Sequence, residues 1–181
     1  MTELVKGERI EVLLTEAQIQ TRVKELAAEI ARDFGDKPVT LLCTLNGAIF
    51  FLTDLAKGLG ANVQIDFIKA SSYGSQTESD GHVQLDHFHN TKLSGRHVLI
   101  IEDIIDTGHT ISYLRKYILE QAPASLKICT LLDKPDRRKV KDITYDYLGF
   151  TIPDEFVVGY GLDYAQRYRN LPYIGILHFV K

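Results

Sequence analysis

Apolar residues recur at helical spacing near the start of the chain. They stand three or four positions apart, at Ile19, Val23, Leu26, Ile30 and Phe34. This spacing predicts an amphipathic helix, because residues three and four apart share one face of an α-helix. Thr15 followed by Gln18 is typical of a capping box at the start of a helix, and Gly35 predicts its end.

Continuous apolar runs predict strands that are buried on both faces. Three such runs follow one another along the chain, VTLLCT after Pro38, HVLIIED after Arg96 and LKICTLL after Ser125. The segment VQIDFIKA, residues 63–70, alternates between apolar and polar positions and predicts a further strand.

Helices are predicted between these strands. One runs through Leu55 to Leu59, after the break at Asn46-Gly47 and before Gly60. Another shows its apolar face at Ile111, Leu114, Tyr117 and Ile118. The order strand, helix, strand predicts parallel pairing by right-handed crossovers, so we expect an α/β protein with a mostly parallel sheet flanked by helices.

A long polar stretch interrupts this order. Residues 71–90, SSYGSQTESDGHVQLDHFHN, exceed the length of an ordinary connection. Such loops in globular proteins are usually lids or disordered segments, so we expect a mobile loop here, with a weak hairpin around Val83 to Leu85.

Composition narrows the class of protein. The chain has 181 residues, 45% hydrophobic and 25% charged, which predicts one globular domain spanning residues 1–181. A net charge of −3 disfavours a bulk nucleic-acid binder. No apolar run approaches a membrane span, and Cys43 and Cys129 both lie in apolar runs as expected of buried thiols. We therefore expect a cytoplasmic protein.

Three carboxylates follow the predicted central strand. Glu102 and Asp103 end that strand, and Asp106 lies in the short loop after it. Ligands of parallel sheets bind beyond the carboxyl ends of the strands, so these side chains are expected to reach the site. Carboxylates suit ribose hydroxyls, Mg²⁺ or a proton.

A predicted helix begins directly after these acids. Thr107-Gly108-His109-Thr110 offers free backbone N–H groups, a glycine that allows close approach and two hydroxyls, which together suit a phosphate. The alternative is that Thr107 only caps the helix and the acids form a solvated turn. Three acids within five residues after a buried strand favour a site for a phosphorylated sugar. Other phosphate motifs are missing, since Gly159-Tyr160-Gly161 lacks the third glycine of a dinucleotide fingerprint.

The stretch IIEDIIDTGHT resembles the 5-phosphoribosyl 1-pyrophosphate (PRPP) motif of the type I phosphoribosyltransferases. LLDKP, PDEFVVGYGLDY and RYRNLPYIG, read in order, are similar to the purine branch of that family. The resemblance covers nearly the whole chain, from LLCTLNGA to YIGIL. It implies the type I phosphoribosyltransferase fold, a single domain with a small hood and a mobile catalytic loop.

The resemblance also implies a reaction in purine salvage. Ribose 5-phosphate passes from PRPP to N9 of a 6-oxopurine, hypoxanthine or guanine, forming IMP or GMP and pyrophosphate with Mg²⁺ required. Family members are commonly homodimers or homotetramers.

Site residues at the sugar follow from the same resemblance. Glu102 and Asp103 match the acids that hold the ribose hydroxyls, partly through Mg²⁺, and Asp106 matches the acid that accepts a proton from purine N7. The 5′-phosphate cradle matches Thr107, Gly108, His109 and Thr110, with His109 contributing only its backbone N–H.

Purine and pyrophosphate residues are assigned in the same way. Lys134 matches the lysine that donates to the 6-oxo group, and Phe156 and Val157 match residues that stack on the base and present backbone groups to it. Asp163, also beside the purine, matches an acid for a second Mg²⁺, and Arg169 matches the arginine that binds pyrophosphate.

Two further matches concern the edges of the site. Ser72 and Tyr73 match the Ser-Tyr pair of the mobile catalytic loop. Asn46 and Gly47 match the pyrophosphate turn, although Asn46 stands where many members carry lysine. In the family the peptide before that position can be cis.

Alternative functions have weaker support. A phosphoribosyltransferase that prefers xanthine or guanine stays open from the residues alone. A PRPP-sensing regulator that binds nucleic acid is disfavoured by the net charge, since Arg137 to Lys139 is the one clustered basic segment of the sequence. A phospho-accepting receiver needs an early acidic pair, and LCTLNG carries no acid.

Overall fold

The computed structural model describes residues 7–72, 83–87 and 92–179. Its elements in chain order are β1 (Glu8–Leu14), α1 (Glu16–Phe34), β2 (Val39–Leu45), α2 (Ile49–Lys57), β3 (Val63–Ser72), β4 (Val83–His87), β5 (His97–Ile105), α3 (His109–Leu119), β6 (Ser125–Asp133), a 3₁₀ turn (Pro135–Arg137), β7 (Tyr147–Thr151), β8 (Val157–Val158) and β9 (Ile174–Phe179).

Helix α1 begins and ends where the sequence predicts. The Thr15 side chain accepts a hydrogen bond from the Gln18 backbone at 3.3 Å, and the Gln18 side chain accepts one from the Thr15 backbone at 2.9 Å. Gly35 ends the helix with a φ of 56°, which favours a residue without Cβ. All five predicted face residues are buried.

The larger sheet has six strands in the order β4-β3-β2-β5-β6-β7. Its five strands from β3 to β7 pair in parallel, and β4 pairs with β3 antiparallel. Helices α1 and α2 pack on one face through Leu41 and Leu99, and α3 packs on the other through Leu42 and Ile100. The mostly parallel α/β architecture is therefore confirmed.

A second, antiparallel sheet has the order β1-β9-β8. It pairs Glu8 with Phe179 and Val158 with Gly175, so it joins the two ends of the described chain. This small sheet corresponds to the expected hood. The sequence pattern did not predict β1 or β7.

The structure differs from the sequence predictions at the end of α2 and in the segment after β3. Helix α2 ends at Lys57, so the prediction that it continues to Leu59 was wrong; Gly58 closes it by donating to Leu55 and Ala56 carbonyls. Part of the predicted mobile loop is a strand, since Ser72 pairs with Val83 in the antiparallel β3–β4 pair, as the hairpin prediction requires. Residues 73–82 and 88–91, among them Tyr73, lie outside the described residues.

Both cysteines are buried and unpaired, as predicted. Burial raises the pKa of the Cys43 thiol to about 12 and raises that of Cys129 as well. These thiols are therefore core side chains rather than nucleophiles. Within the described ranges, no helix is long and apolar enough to cross a membrane.

Candidate active site

A cavity of about 470 Å³ opens at the carboxyl ends of β2 and β5. Three segments form its walls, namely the turn after β2, the chain from the end of β5 into α3, and the 159–169 loop between β8 and β9. The predicted site residues that line it are Asn46, Gly47, Glu102, Asp103, Asp106, Thr107, Gly108, His109, Thr110, Asp163 and Arg169. The structure therefore gathers the predicted sugar and pyrophosphate residues around one cavity.

The paired acids at the end of β5 form the buried wall of the cavity. Glu102 is only 7% exposed, and its Oε1 accepts a hydrogen bond from Thr44 Oγ1 at 2.9 Å. Its Oε2 is buried and has no hydrogen-bond partner among the described residues. Burial and the Asp103 charge raise the pKa of Glu102 well above its ordinary value. Burial also raises the pKa of Asp103, although Arg169 opposes the shift.

The Asn46-Gly47 turn packs directly against Asp103. A Cβ on Gly47 would lie 1.5 Å from Asp103 Oδ2, so the turn and the carboxylate can adjoin only because this residue is glycine. The Leu45–Asn46 peptide is cis, as the family resemblance allows. On its other side the turn contacts Gly161, whose added Cβ would lie 1.9 Å from the Gly47 carbonyl oxygen.

Asp106 lies at the mouth of the phosphate loop, paired with an arginine that the sequence analysis missed. Its Oδ1 accepts a hydrogen bond from Arg137 Nε at 3.1 Å, and Arg137 also lies 3.7 Å from Asp154. Arg137 belongs to the basic segment Arg137 to Lys139, for which the sequence predicts no role at the site. The sequence signal available was its position just after β6, because carboxyl ends of neighbouring parallel strands share one edge of the sheet.

The start of α3 has the geometry of an anion site. Gly108 is the N-cap with a φ of 91°, and no side chain caps the helix there. The Thr107 carbonyl accepts from the backbones of Lys139 and Val140 at 3.0 and 3.1 Å. The alternative that Thr107 merely caps the helix is therefore wrong. The first-turn N–H groups of an uncapped helix face its N-terminus and are available to a bound anion.

Asp163 and Arg169, predicted separately, form an ion pair at 2.8 Å. Arg169 Nη1 also donates to the Gly161 carbonyl at 2.7 Å, and Asp163 accepts from the Gln166 backbone at 2.8 Å. The pair places one cation and one anion opposite the acids of β5.

Of the predicted purine residues, Asp163 lines the cavity, whereas Lys134, Phe156 and Val157 do not. The backbone of Lys134 donates to Ile105 at 3.0 Å, and its Nζ donates to the Glu155 carbonyl at 2.6 Å. Phe156 is 50% exposed and packs edge-to-face on Tyr164, while Val157 is buried in β8. Ser72, predicted to belong to the mobile loop, is the last residue of β3.

The arrangement suits a cation held by few protein ligands. Within the described residues, no three His, Cys, Asp or Glu side chains gather as a metal cluster. The unpartnered Glu102 Oε2 beside Asp103 nevertheless offers carboxylate oxygens to a hard cation. A cation that keeps several waters and shares substrate oxygens needs only one or two carboxylates.

Replacing Glu102 with glutamine is expected to raise stability at alkaline pH, because it removes a buried charge and keeps the acceptor for Thr44. A raised folded-state pKa means that the native protein loses stability as pH rises above the ordinary value of 4.5. The melting midpoint of E102Q should exceed that of the wild type at about pH 8, by about 2–4 °C per kcal/mol relieved, and match it near the ordinary pKa. Equal midpoints at both pH values would contradict the buried-charge argument.

Comparisons with known proteins agree with this geometry. The phosphoribosyl transferase domain family matches residues 11–165. The chain is 48% identical over 174 residues to a hypoxanthine-guanine phosphoribosyltransferase of Bacillus subtilis (strain 168), covering 96% of each. It is 45% identical to a hypoxanthine-guanine-xanthine phosphoribosyltransferase of Tritrichomonas foetus, over 98% of this chain and 97% of the relative.

A solved structure shows the same fold. A hypoxanthine phosphoribosyltransferase from Staphylococcus aureus superposes with a TM-score of 0.88 at 48% identity, over 93% of this chain and 91% of that one. The family match spans most of the chain, and residues 102–110 of the IIEDIIDTGHT stretch line the cavity. The chain therefore belongs to the phosphoribosyltransferase family, among the hypoxanthine-guanine phosphoribosyltransferases.

Proposed function

We propose that this chain transfers ribose 5-phosphate from PRPP to N9 of hypoxanthine or guanine, forming IMP or GMP and releasing pyrophosphate. The observation that carries the proposal is the single cavity that joins buried carboxylates, an uncapped helix start and an arginine. These three features match the ribose hydroxyls, the 5′-phosphate and the pyrophosphate of one substrate.

The sugar phosphate is held at two places. The N–H groups from Gly108 to Thr110, with the Thr107 and Thr110 hydroxyls, bind the 5′-phosphate dianion at the start of α3. Glu102 and Asp103 accept hydrogen bonds from the ribose hydroxyls and would hold Mg²⁺. When bound, Mg²⁺ supplies positive charge that offsets the acids and the leaving pyrophosphate.

Asp106 serves as the proton acceptor for purine N7. The carboxylate is at the cavity wall, and Arg137 fixes one of its oxygens and leaves the other available. Proton removal there maintains the nucleophilic electron density at N9 while the bond to the sugar forms. A carboxylate within hydrogen-bond reach of that proton is a competent general base.

Lys134, Phe156 and Val157 select the purine. The Lys134 ammonium donates to the 6-oxo group, and a 6-amino purine would instead place a donor against a donor. Phe156 stacks on the base, and Val157 offers backbone groups at its edge. The half-exposed Phe156 supports this role, since an aromatic side chain open to solvent is accessible to a planar ligand.

The leaving pyrophosphate would lie between the Asn46-Gly47 turn and the 159–169 loop. Arg169 binds pyrophosphate oxygens, and the Asn46-Gly47 backbone contacts the same group. Asp163 would hold a second Mg²⁺. Asn46 lacks the charge of the commoner lysine, so the side-chain contribution at this position is expected to be weaker. Ser72 and Tyr73 match the family's mobile catalytic loop, whose closure would exclude water from the site.

Three further points complete the proposal. We infer one domain over residues 1–181, a cytoplasmic location and a homodimer or homotetramer. The single domain is supported by the relatives, whose chains this one matches nearly end to end.

The test is a steady-state assay with PRPP, Mg²⁺ and four purines in parallel. Turnover is expected with hypoxanthine and guanine, with kcat/KM for adenine lower by on the order of 10⁴-fold because Lys134 would face an amino group. Removing Mg²⁺ with a chelator should abolish turnover, and adding it back should restore it. Turnover with none of the purines would contradict the proposal.

A further inference from the structure

The 159–169 loop positions Arg169 through the backbone of Gly161. The Gly161 N–H donates to the Arg169 carbonyl at 2.9 Å, and the Gly161 carbonyl accepts from Arg169 Nη1 at 2.7 Å. Since Gly161 also contacts the Gly47 carbonyl, its placement determines how the loop meets the opposite wall of the cavity. Whatever fixes Gly161 therefore fixes the arginine.

Tyr160 precedes this glycine and is held from outside the cavity. Its side chain is only 3% exposed, and its hydroxyl donates to Asp54 Oδ2 on α2 at 2.8 Å. The Tyr160 ring also contacts Phe50 of α2, at 6.3 Å between centroids. Helix α2 begins just after the Asn46-Gly47 turn, so this tyrosine links the loop to the element that carries the other wall.

Asp54 joins three parts of the fold at one carboxylate. Besides Tyr160 it accepts hydrogen bonds from Gln20 of α1 at 2.7 Å and from Lys57 of its own helix at 2.9 Å. Burial alone would raise the pKa of Asp54, but these hydrogen bonds outweigh burial and lower it. The carboxylate thus accepts three hydrogen bonds, and none of its partners lines the cavity.

The loop needs such a restraint because its backbone is unfavourable. Tyr160, Ala165, Gln166 and Tyr168 all have positive φ, and Tyr160 has a φ of 48°. Residues other than glycine seldom adopt this region and keep it only when surrounding contacts enforce it. The Tyr160 backbone N–H, which donates to Leu171 at 2.8 Å, supplies one such contact and its hydroxyl supplies another.

We propose that Tyr160 and Asp54 are positioning residues that hold the 159–169 loop against α2 and thereby fix Arg169 for pyrophosphate. Neither residue lines the cavity. The inference rests on the proposed function, because that function assigns pyrophosphate to Arg169.

Tyr160→Phe removes one hydroxyl and keeps the ring. We expect the KM for PRPP and the Kd for magnesium pyrophosphate each to rise about fivefold. An effect of this order is expected when part of the stabilisation from a hydrogen bond to a charged group is lost. The KM for hypoxanthine should stay within about twofold, because Lys134 is held outside the 159–169 loop, by Ile105 and the Glu155 carbonyl. Steady-state kinetics and calorimetric titration with magnesium pyrophosphate give these values.

Tyr147→Phe is the matched control. Tyr147 is 5% exposed and its hydroxyl donates to Asp33 at 2.7 Å, but neither residue lines the cavity. Its variant should lose stability much as Tyr160→Phe does and keep the wild-type KM for PRPP. Equal KM values for PRPP in Tyr160→Phe and the wild type, or equal increases in the two tyrosine variants, would overturn the inference.

A double-mutant cycle tests the pair itself. Asp54→Asn should weaken PRPP binding, and adding Tyr160→Phe to it should cause little further change, since the two residues act through one contact. Fully additive effects would overturn the pairing of Tyr160 with Asp54. If Asp54→Asn does not fold, the kinetics of Tyr160→Phe alone decide whether the inference holds. A wild-type chain without turnover would contradict the proposed function instead, and the pyrophosphate affinities would still compare the variants.

Discussion

Gly47→Ala is expected to lower kcat/KM for PRPP by on the order of 100-fold, the cost of displacing a reacting group by about 1 Å. The new Cβ would lie 1.5 Å from Asp103 Oδ2 and 2.6 Å from its Cγ, distances that no pair of unbonded atoms can keep. Either the Asp103 carboxylate leaves the ribose side of the cavity or the Asn46-Gly47 turn leaves the pyrophosphate side. Steady-state kinetics with varied PRPP measures the loss.

Gly60→Ala is the matched control for this substitution. An added Cβ at Gly60 meets nothing within 4 Å, so the same chemical change there should leave the KM for PRPP unaltered. Circular dichroism and the melting midpoint distinguish local displacement from global unfolding. Activity of Gly47→Ala within about twofold of the wild type would show that Asp103 can relax at no cost, against the close packing argued for this wall.

Asp106→Asn is expected to lower kcat at least roughly tenfold, the lower range of what loss of a general base costs. Asparagine is nearly isosteric and its amide oxygen can still accept from Arg137, so the loop should keep its geometry. What it loses is the ability to take the N7 proton. The KM for PRPP should change little, because the phosphate contacts come from the start of α3.

Asp154→Asn controls for the ion pairs of Arg137. It removes the other carboxylate near that arginine, 3.7 Å away and half-exposed, without touching the proposed base. Near-normal turnover is expected for Asp154→Asn. Near-normal turnover of Asp106→Asn with hypoxanthine would remove Asp106 from the general-base role, and equal losses in both variants would indicate that Arg137 rather than the carboxylate matters.

Several elements could be predicted from sequence because their information is local. The capping box of Thr15 and the terminator Gly35 bound α1 in the structure as they do in the pattern. The buried runs of β2, β5 and β6 needed no partner to be recognised, because strands covered on both faces are apolar at nearly every position. The three acids and the phosphate loop are contiguous in the chain, so the residues proposed to bind the sugar phosphate could be recognised from the sequence as one motif.

Other elements depend on partners far along the chain. Strand β1 has an irregular pattern, and it is defined by pairing with β9, where Glu8 meets Phe179. Strand β7 is a five-residue edge of the large sheet and lacks a long apolar run. Local propensity is weak for such short strands, because their stability comes from neighbours and not from their own residues.

The sequence by itself determined the fold class, the buried cysteines and the positions of the acids, since periodicity and contiguous motifs report which faces are buried. Only the tertiary structure decided which side chains meet across the cavity. The contact of Gly47 with Asp103, the Arg137–Asp106 ion pair and the Tyr160–Asp54 hydrogen bond each join segments at least 31 residues apart. The first two arise where parallel strands bring their carboxyl ends to one edge, and the third arises where the 159–169 loop packs on α2. No local pattern encodes the distances between these segments.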